Sequence, residues 1–333
     1  MKEDPLLPSV LSLPGGSDLH AHELVTSGCV LLQGRSSCMP AAALGLREGW
    51  TCLDACAAPG NKTTHAAALV GPSGRVLAFD RDAARLKTLE RNAATAGAAH
   101  VEARCQDFLS LDPGAPEYAG VRAVLLDPSC SGSGTGGTRM DWLMPSERER
   151  ARERAALGGD GDDPAWTRLL ESDAHRVHKL SQFQRRALEH ALSFPGAVRV
   201  AYSTCSVYAR ENEEVVESVL PAAREAGWRL ARALPGWPRR GLGRFAFGED
   251  VVRVHPTEDG TDGFFVAVFE RDGGSGEEAE GRGEGKRARD AGDAAGGGEK
   301  KRPKKEGKRE KKEKREKREK KEKREKKEKR EKS

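Results

Sequence analysis

The chain predicts an α/β protein built on a mostly parallel, doubly wound sheet, followed by a tail that builds no core. Two observations carry that expectation. From about residue 50, short apolar runs alternate with helix-like stretches, the order that gives parallel βαβ units. After about residue 273 the composition collapses to Gly, Glu, Lys and Arg, leaving nothing to bury.

Residues 1–18 (DPLLPSVLSLPGG within them) are punctuated by Pro and Gly and read as a linker or a clipped end. CVLLQG (29–34) reads as a short strand. Ser36 or Ser37 can cap the helical turn after it, with Pro40 near its start. The stretch that organises the rest is LDACAAPGNKT (53–63): an apolar lead-in, an acid, small residues, Pro-Gly, then the apolar AAALV run. This is the grammar of a strand over 50–55, a tight turn over 56–60 and a helix from about 62 to 69. Small residues let backbone approach a ligand, and the free amides of a helix start favour an anionic group. GRVLAFD (74–80) is a strand ending in an acid, and RDAARLKTLERNAATAG a helix with Ala84, Leu86, Leu89 and Ala93 along one face, closed by Gly97. HVEARCQDF runs to Asp107, and VRAVLLDPSCSGSG stops at Asp127-Pro128 and opens into a Gly/Ser loop. Residues 136–170 read as a polar excursion holding a charged helical stretch. HRVHKLSQFQRRALEHALSF is an amphipathic helix, VRVAYSTCSV a strand and ENEEVVESVLPAAREAG a helix; WRLARAL, VVRVHP and GFFVAVFER are three further strands.

The net charge of +5 conceals a split. Glu299–Ser333 holds 22 Lys+Arg against 10 Glu, and the remainder 35 basic against 42 acidic residues, so a tail of +12 follows a body of −7. Residues 310–331 place Glu at every third position and present no apolar face, so a solvated helix or disorder is expected. Such a tail suits RNA binding or nucleolar targeting; a solubilising role is the plainer alternative. Seven scattered cysteines with no CxxC pair and no Cys/His cluster of zinc spacing predict a reducing compartment and no metal. No signal peptide or long apolar run points to a membrane.

In doubly wound sheets ligands bind beyond the carboxyl ends of the strands. Here those ends carry Asp54, Asp80, Asp107, Asp127 with Cys130, and Thr204 with Cys205. The turn ACAAPGNK lacks the GxGxxG pattern of dinucleotide folds, and nothing suits a pyrophosphate. Asp80 suits a ribose diol and Asp107 an adenine amino group, so a cationic ligand such as S-adenosylmethionine fits an acid-lined pocket better. Cys52, Cys105, Cys29 and Cys38 read as buried packing residues, and His175, His178 and His190 as surface residues on a helix. Asp54 could do no more than cap its turn, and Cys56 could be a small turn residue. Cys130 and Cys205 are not ranked by their neighbours alone.

DACAAPGNKT, DPSCSGSG and YSTCS together resemble the Sun-domain (Fmu-type) RNA cytosine-5 methyltransferases, as do GCVLLQGRSSCMPAAAL and GFFVAVFER, over roughly residues 19–271. Asn61 and LPGWPRRGL (234–242) are similar to member five, the branch acting on 28S ribosomal RNA. The resemblance implies a Rossmann-like class I methyltransferase fold over 19–272, a nuclear or nucleolar monomer, and no metal. Cys56, Ala57, Ala58, Pro59, Gly60, Asn61 and Lys62 would wrap the methionine end of S-adenosylmethionine; Asp80 and Arg85 would hold its ribose and Asp107 its adenine. Asp127 would face both the methionine amine and the target base, Cys205 would be the nucleophile and Cys130 would assist product release. Relatives carry an N-terminal RNA-binding extension, whereas a short linker precedes the domain here. Two other readings stay open: a methyltransferase acting on protein, and a ribosome-assembly scaffold retaining the fold.

Overall fold

The computed structural model describes residues 2–7, 9–13, 17–135, 164–256 and 258–272, with side chains from residue 174 onward in the helix that begins at Pro164. The charged stretch over 136–163 and the basic tail, both singled out in the sequence, lie outside the described residues. All described residues fall within one unit, Met1–Gly276.

In chain order the elements are β1 (Lys2–Glu3), β2 (Leu11–Ser12), α1 (Glu23–Thr26), α2 (Arg35–Leu44), β3 (Thr51–Asp54), α3 (Asn61–Val70), β4 (Arg75–Asp80), α4 (Ala83–Thr95), β5 (Val101–Cys105), β6 (Val121–Leu126), α5 (Pro164–Leu192), β7 (Arg199–Thr204), α6 (Glu213–Glu225), β8 (Arg229–Ala231), β9 (Val252–Val254) and β10 (Phe264–Glu270). The main sheet runs β5-β4-β3-β6-β7-β10-β8, with β9 also on β10. The first five strands of that order pair in parallel. β10 lies antiparallel to β7, β8 and β9, and the alternation expected throughout ends at β8, because no α-helix separates β8, β9 and β10.

Residues alternate between two faces, apart from a register shift near the start of β6. Leu53, Leu77, Phe79, Val124, Leu126, Val200 and Tyr202 pack with Ala187 and Leu188 of α5 and Val215, Val216 and Val219 of α6. Cys52, Val76, Ala123, Leu125 and Ala201 face Met39 and Leu44 of α2, Ala66, Ala67 and Val70 of α3 and Ala93 of α4. A period of two along each strand, buried on both sides, is why these strands read as near-continuous apolar runs.

Several local expectations are corrected. CVLLQG forms no strand; the sheet offers its apolar residues no pairing partner, and the chain runs straight into α2. Gly34 precedes that helix without a side-chain cap, Ser36 and Ser37 sit inside the first turn, and Pro40 lies within the helix. The stretch read as a linker pairs Lys2 with Ser12 and Glu3 with Leu11, and its Asp4 is buried against the Arg35 guanidinium, with Arg35 Nε 2.7 Å from Asp4 Oδ2. Cys38 and Cys52 are buried as expected, but Cys29 and Cys105 are exposed. Cys105 ends β5, the outer strand of the sheet, where apolar pattern alone does not bring burial. His190 is half-buried, its ring edge-on to Phe108 at 4.8 Å between centroids, because α5 turns that side to the sheet rather than to water.

Candidate active site

The chain travels outward from β3 through β4 to β5, then returns to β6 on the other flank of β3. The crevice of a doubly wound sheet opens at that reversal. Asp54 closes β3 and Asp127 follows β6, so the two carboxylates flank it. The turn between them is held by Ala55 N–H on the Leu125 carbonyl (3.0 Å) and Ala57 N–H on the Phe79 carbonyl (2.9 Å). Gly60, at φ +106°, ends the turn, and a Cβ there would come within 3.2 Å of the Leu89 Cα; only glycine lets α3 start so close to α4.

Asp54 is not merely a turn cap. It is 1% exposed, and its Oδ2 accepts from Thr63 Oγ1 at 2.7 Å while its Oδ1 has no partner among the described residues. Burial pushes its carboxyl up from 3.8 to about 7, against the pull of Thr63 and Lys62. A carboxyl raised in the folded state contributes most stability below its unfolded value and loses it as pH rises to about 7. That difference is worth on the order of 4 kcal/mol. Asp54→Asn is expected to flatten this dependence, with a larger gain in denaturant stability above neutrality than in mild acid. Parallel pH profiles for the two proteins would contradict it.

Around Asp127 the sequence-identified residues converge. Lys62 Nζ lies 2.8 Å from Asp127 Oδ2, and Ser203 Oγ donates to Oδ1 at 2.6 Å. Lys62 also stands 5.6 Å from the Phe264 ring centroid, which covers it from β10. Burial works against the Lys62 ammonium, but Asp127 and Asp54 outweigh it, so its pKa is raised and the charge retained. Cys130 Sγ and Cys205 Sγ are 3.2 Å apart, both half-buried and both free thiols. The hydrogen bond between them pushes Cys130 up and Cys205 down; burial adds to the first shift, and the nearby Lys62 charge favours the second. The bond thus shifts the two thiols in opposite directions, a distinction the sequence alone does not make.

One strand further out, Asp80 is buried and accepts from Ala58 N–H (3.2 Å) and Asp82 N–H (2.9 Å). Arg85 reaches back over the turn, donating to the Ala58 carbonyl at 2.5 Å with its other terminal nitrogen 3.5 Å from Asp80 Oδ2. Ala57, Ala58 and Gly60 are buried, Cys56 and Lys62 half-buried, and Pro59 and Asn61 exposed. Burial, then Asp54, Asp127 and Asp80, push the Cys56 thiol up, which makes it a neutral neighbour of all three carboxylates. Asp107 stands apart: it is exposed, and its carboxylate accepts from Leu109 N–H at 3.0 Å, starting a short 3₁₀ turn.

A polar scaffold behind the thiols has no counterpart in the sequence reading. Ser131, Ser133 and Ser206 form a triangle of hydroxyls with sides of 3.0, 3.2 and 3.1 Å, joining the loop after β6 to the loop after β7. Gly134 N–H donates to the Cys205 carbonyl at 2.9 Å, and Gly263 N–H to the Gly134 carbonyl at 2.8 Å. Glu211, Asn212 and Glu213 are all fully buried. Asn212 accepts from Thr204 Oγ1 (2.5 Å) and donates to the Ser206 carbonyl (2.8 Å), whereas Glu213 pairs with Arg253 at 2.6 Å. The available signal was an amide between two acids one turn after the second cysteine motif. It was hidden because acids are ordinary at a helix start.

The family described as 16S rRNA methyltransferase RsmB/F matches residues 41–149 and 166–270. A 25S rRNA (cytosine-C(5))-methyltransferase of Arabidopsis thaliana is 48% identical over 81% of this chain and 45% of its own length. A 28S rRNA (cytosine-C(5))-methyltransferase of Mus musculus is 42% identical over 80% of this chain and 52% of its own. The chain thus spans about half the length of these relatives. Among solved structures, a methyltransferase homolog protein from Pyrococcus horikoshii shares the fold, with a TM-score of 0.58 at 24% identity over 77% of this chain and 72% of its own.

Proposed function

The chain belongs to the 16S rRNA methyltransferase RsmB/F family, and from that premise we propose that it methylates carbon 5 of a cytosine in RNA, with large-subunit ribosomal RNA as the substrate. The observation that carries the reading is the thiol pair, 3.2 Å apart, beside the Lys62–Asp127 ion pair at the reversal of the sheet. The strong likeness to relatives named for 25S and 28S RNA supports the large-subunit assignment and, with it, action in the nucleolus. The basic tail adds an electrostatic grip on RNA.

S-adenosylmethionine suits the donor set: four strand-end carboxylates for a cationic ligand, the small buried residues Ala57, Ala58 and Gly60, and a buried Asp54 Oδ1 lacking a partner among the described residues. When bound it supplies an electrophilic methyl group. Residues 56–62 would hold its methionine end, Asp80 and Arg85 the ribose and Asp107 the adenine. The protein's own part starts at Cys205. Carbon 5 of cytosine is a poor nucleophile, and a thiolate adding to carbon 6 turns the ring into an enamine whose carbon 5 can accept a methyl group. Asp127 in its acid form, beside Lys62, gives a proton to the ring nitrogen and so neutralises the negative charge that develops there. A base then takes the carbon 5 proton, the C–H electron pair restores the 5,6 double bond, and the Cys205 sulfur departs as thiolate, the step in which Cys130 assists.

The test is transfer of labelled methyl from S-adenosylmethionine to large-subunit ribosomal RNA, read as labelled 5-methylcytosine. Label on protein would favour the protein-methylating alternative, and RNA binding without label the scaffold. In the same preparation Asp80→Ala is expected to weaken S-adenosylmethionine binding, measured by calorimetry, by about 1–3 kcal/mol. Tight binding of NAD with none of S-adenosylmethionine would overturn the reading.

A further inference from the structure

The backbone around Cys130 is held by residues outside the cysteine motifs. Gln184, fully buried on α5, donates through one nitrogen to the Ser129 carbonyl (3.0 Å) and to Glu211 Oε1 (3.0 Å). Glu211 Oε1 in turn accepts from Ser131 N–H at 2.9 Å. The Ser129 carbonyl belongs to the peptide group before Cys130 and the Ser131 N–H to the one after it. With both peptide planes held, φ and ψ of Cys130 are set, and only rotation about its side-chain bond remains. Glu211 is itself tied to the strand that carries Cys205, since the Tyr202 hydroxyl donates to its carbonyl at 2.5 Å.

The clamp is costly. Glu211 Oε2 and Gln184 Oε1 are buried without partners among the described residues, and buried polar groups left unpaired destabilise. A packing role would be met better by apolar side chains. Resting on the methyltransferase reading above, we infer that Gln184 and Glu211 are positioning residues that place the Cys130 thiol for the release step, reaching Cys205 only through the hydrogen bond between the two sulfurs. Cys205 is held by separate contacts, its carbonyl by Gly134 and the following residues by Thr204 and Asn212.

The experiment uses the full chain with Gln184→Ala, the volume-preserving Gln184→Met, Glu211→Gln and Cys130→Ala. Two quantities are measured. The first is the fraction of RNA held in a denaturant-resistant adduct during turnover. The second is the rate at which diamide, taking two electrons and two protons from the thiols, joins Cys130 to Cys205 without RNA. Both Gln184 variants are expected to raise the adduct fraction and slow the cross-link roughly 10-fold, as sub-ångström misplacement does. Glu211→Gln, which keeps an oxygen for both donors, should match the parent protein. Unchanged cross-linking in folded Gln184→Ala and Gln184→Met overturns the clamp. If instead cross-linking slows while not even Cys130→Ala accumulates adduct, the clamp stands and the roles given to the two thiols fall.

Discussion

Cys205→Ala is expected to abolish both methylation and covalent capture of RNA, whereas Cys130→Ala should lose turnover yet accumulate an adduct that survives denaturing gels. The asymmetry follows from the bond each sulfur makes. Without the attacking sulfur no enamine forms, and activity should fall roughly 10³-fold or more. Without the second thiol, attack and methyl transfer proceed but the carbon–sulfur bond is slow to break. Loss of activity alone would not separate the roles, because both variants are inactive in turnover. RNA containing 5-azacytidine sharpens the comparison, since its ring has no carbon 5 proton to lose and the adduct persists with any competent nucleophile. Capture by Cys205→Ala, with none by Cys130→Ala, would mean the two roles are exchanged. The 3.2 Å spacing makes that exchange the outcome most worth testing, because either sulfur lies close to where the other must act.

How much of this site is legible in the sequence depends on how each residue gets its role. Asp54, Asp80 and Asp127 follow apolar runs directly, and in a parallel sheet that position alone carries them to one edge. Lys62 is singled out only by the resemblance, and its pairing with Asp127 is not written in the sequence. Gln184 is not legible: it sits on a helix between Phe183 and Arg185, and only the packing of α5 against the sheet turns it toward the loop after β6. Glu211, Asn212 and Glu213 are hidden for a different reason, since polar residues before a helix need no tertiary explanation. The far edge of the sheet is hidden as well. GFFVAVFER reads as a strand, and one forms over Phe264–Glu270, but chain order does not reveal that it slips antiparallel between β7 and β8. That insertion matters to the site, because it brings Phe264 over Lys62 and Gly263 against Gly134.

Electrostatics around the thiols gives the second large effect. Cys205 is held below the usual thiol range first by the hydrogen bond with Cys130 and then by the charge of Lys62, against the opposing pull of burial and of Asp127. A lowered value means that thiolate persists toward lower pH. Removing either cause should therefore raise the titration of Cys205 and cost reactivity on the acidic side, while the alkaline plateau stays in place. The measurement is alkylation of Cys205 by iodoacetamide in the full chain without RNA, followed by peptide mapping across the pH range. Cys130→Ala should shift the midpoint up the most, since it deletes the larger contribution, and Lys62→Met should shift it in the same direction. Lys62→Met also frees Asp127 Oδ2 from its ion pair, leaving a carboxylate near the sulfur with less of its charge offset. That change too disfavours the thiolate, so the two consequences of losing the ammonium add. The same reasoning fixes the conditions for the adduct experiment: Cys130→Ala should capture RNA best in mildly alkaline buffer, where its Cys205 is again deprotonated. Superimposable alkylation profiles for the parent protein and both variants would mean that neither Cys130 nor Lys62 activates the nucleophile.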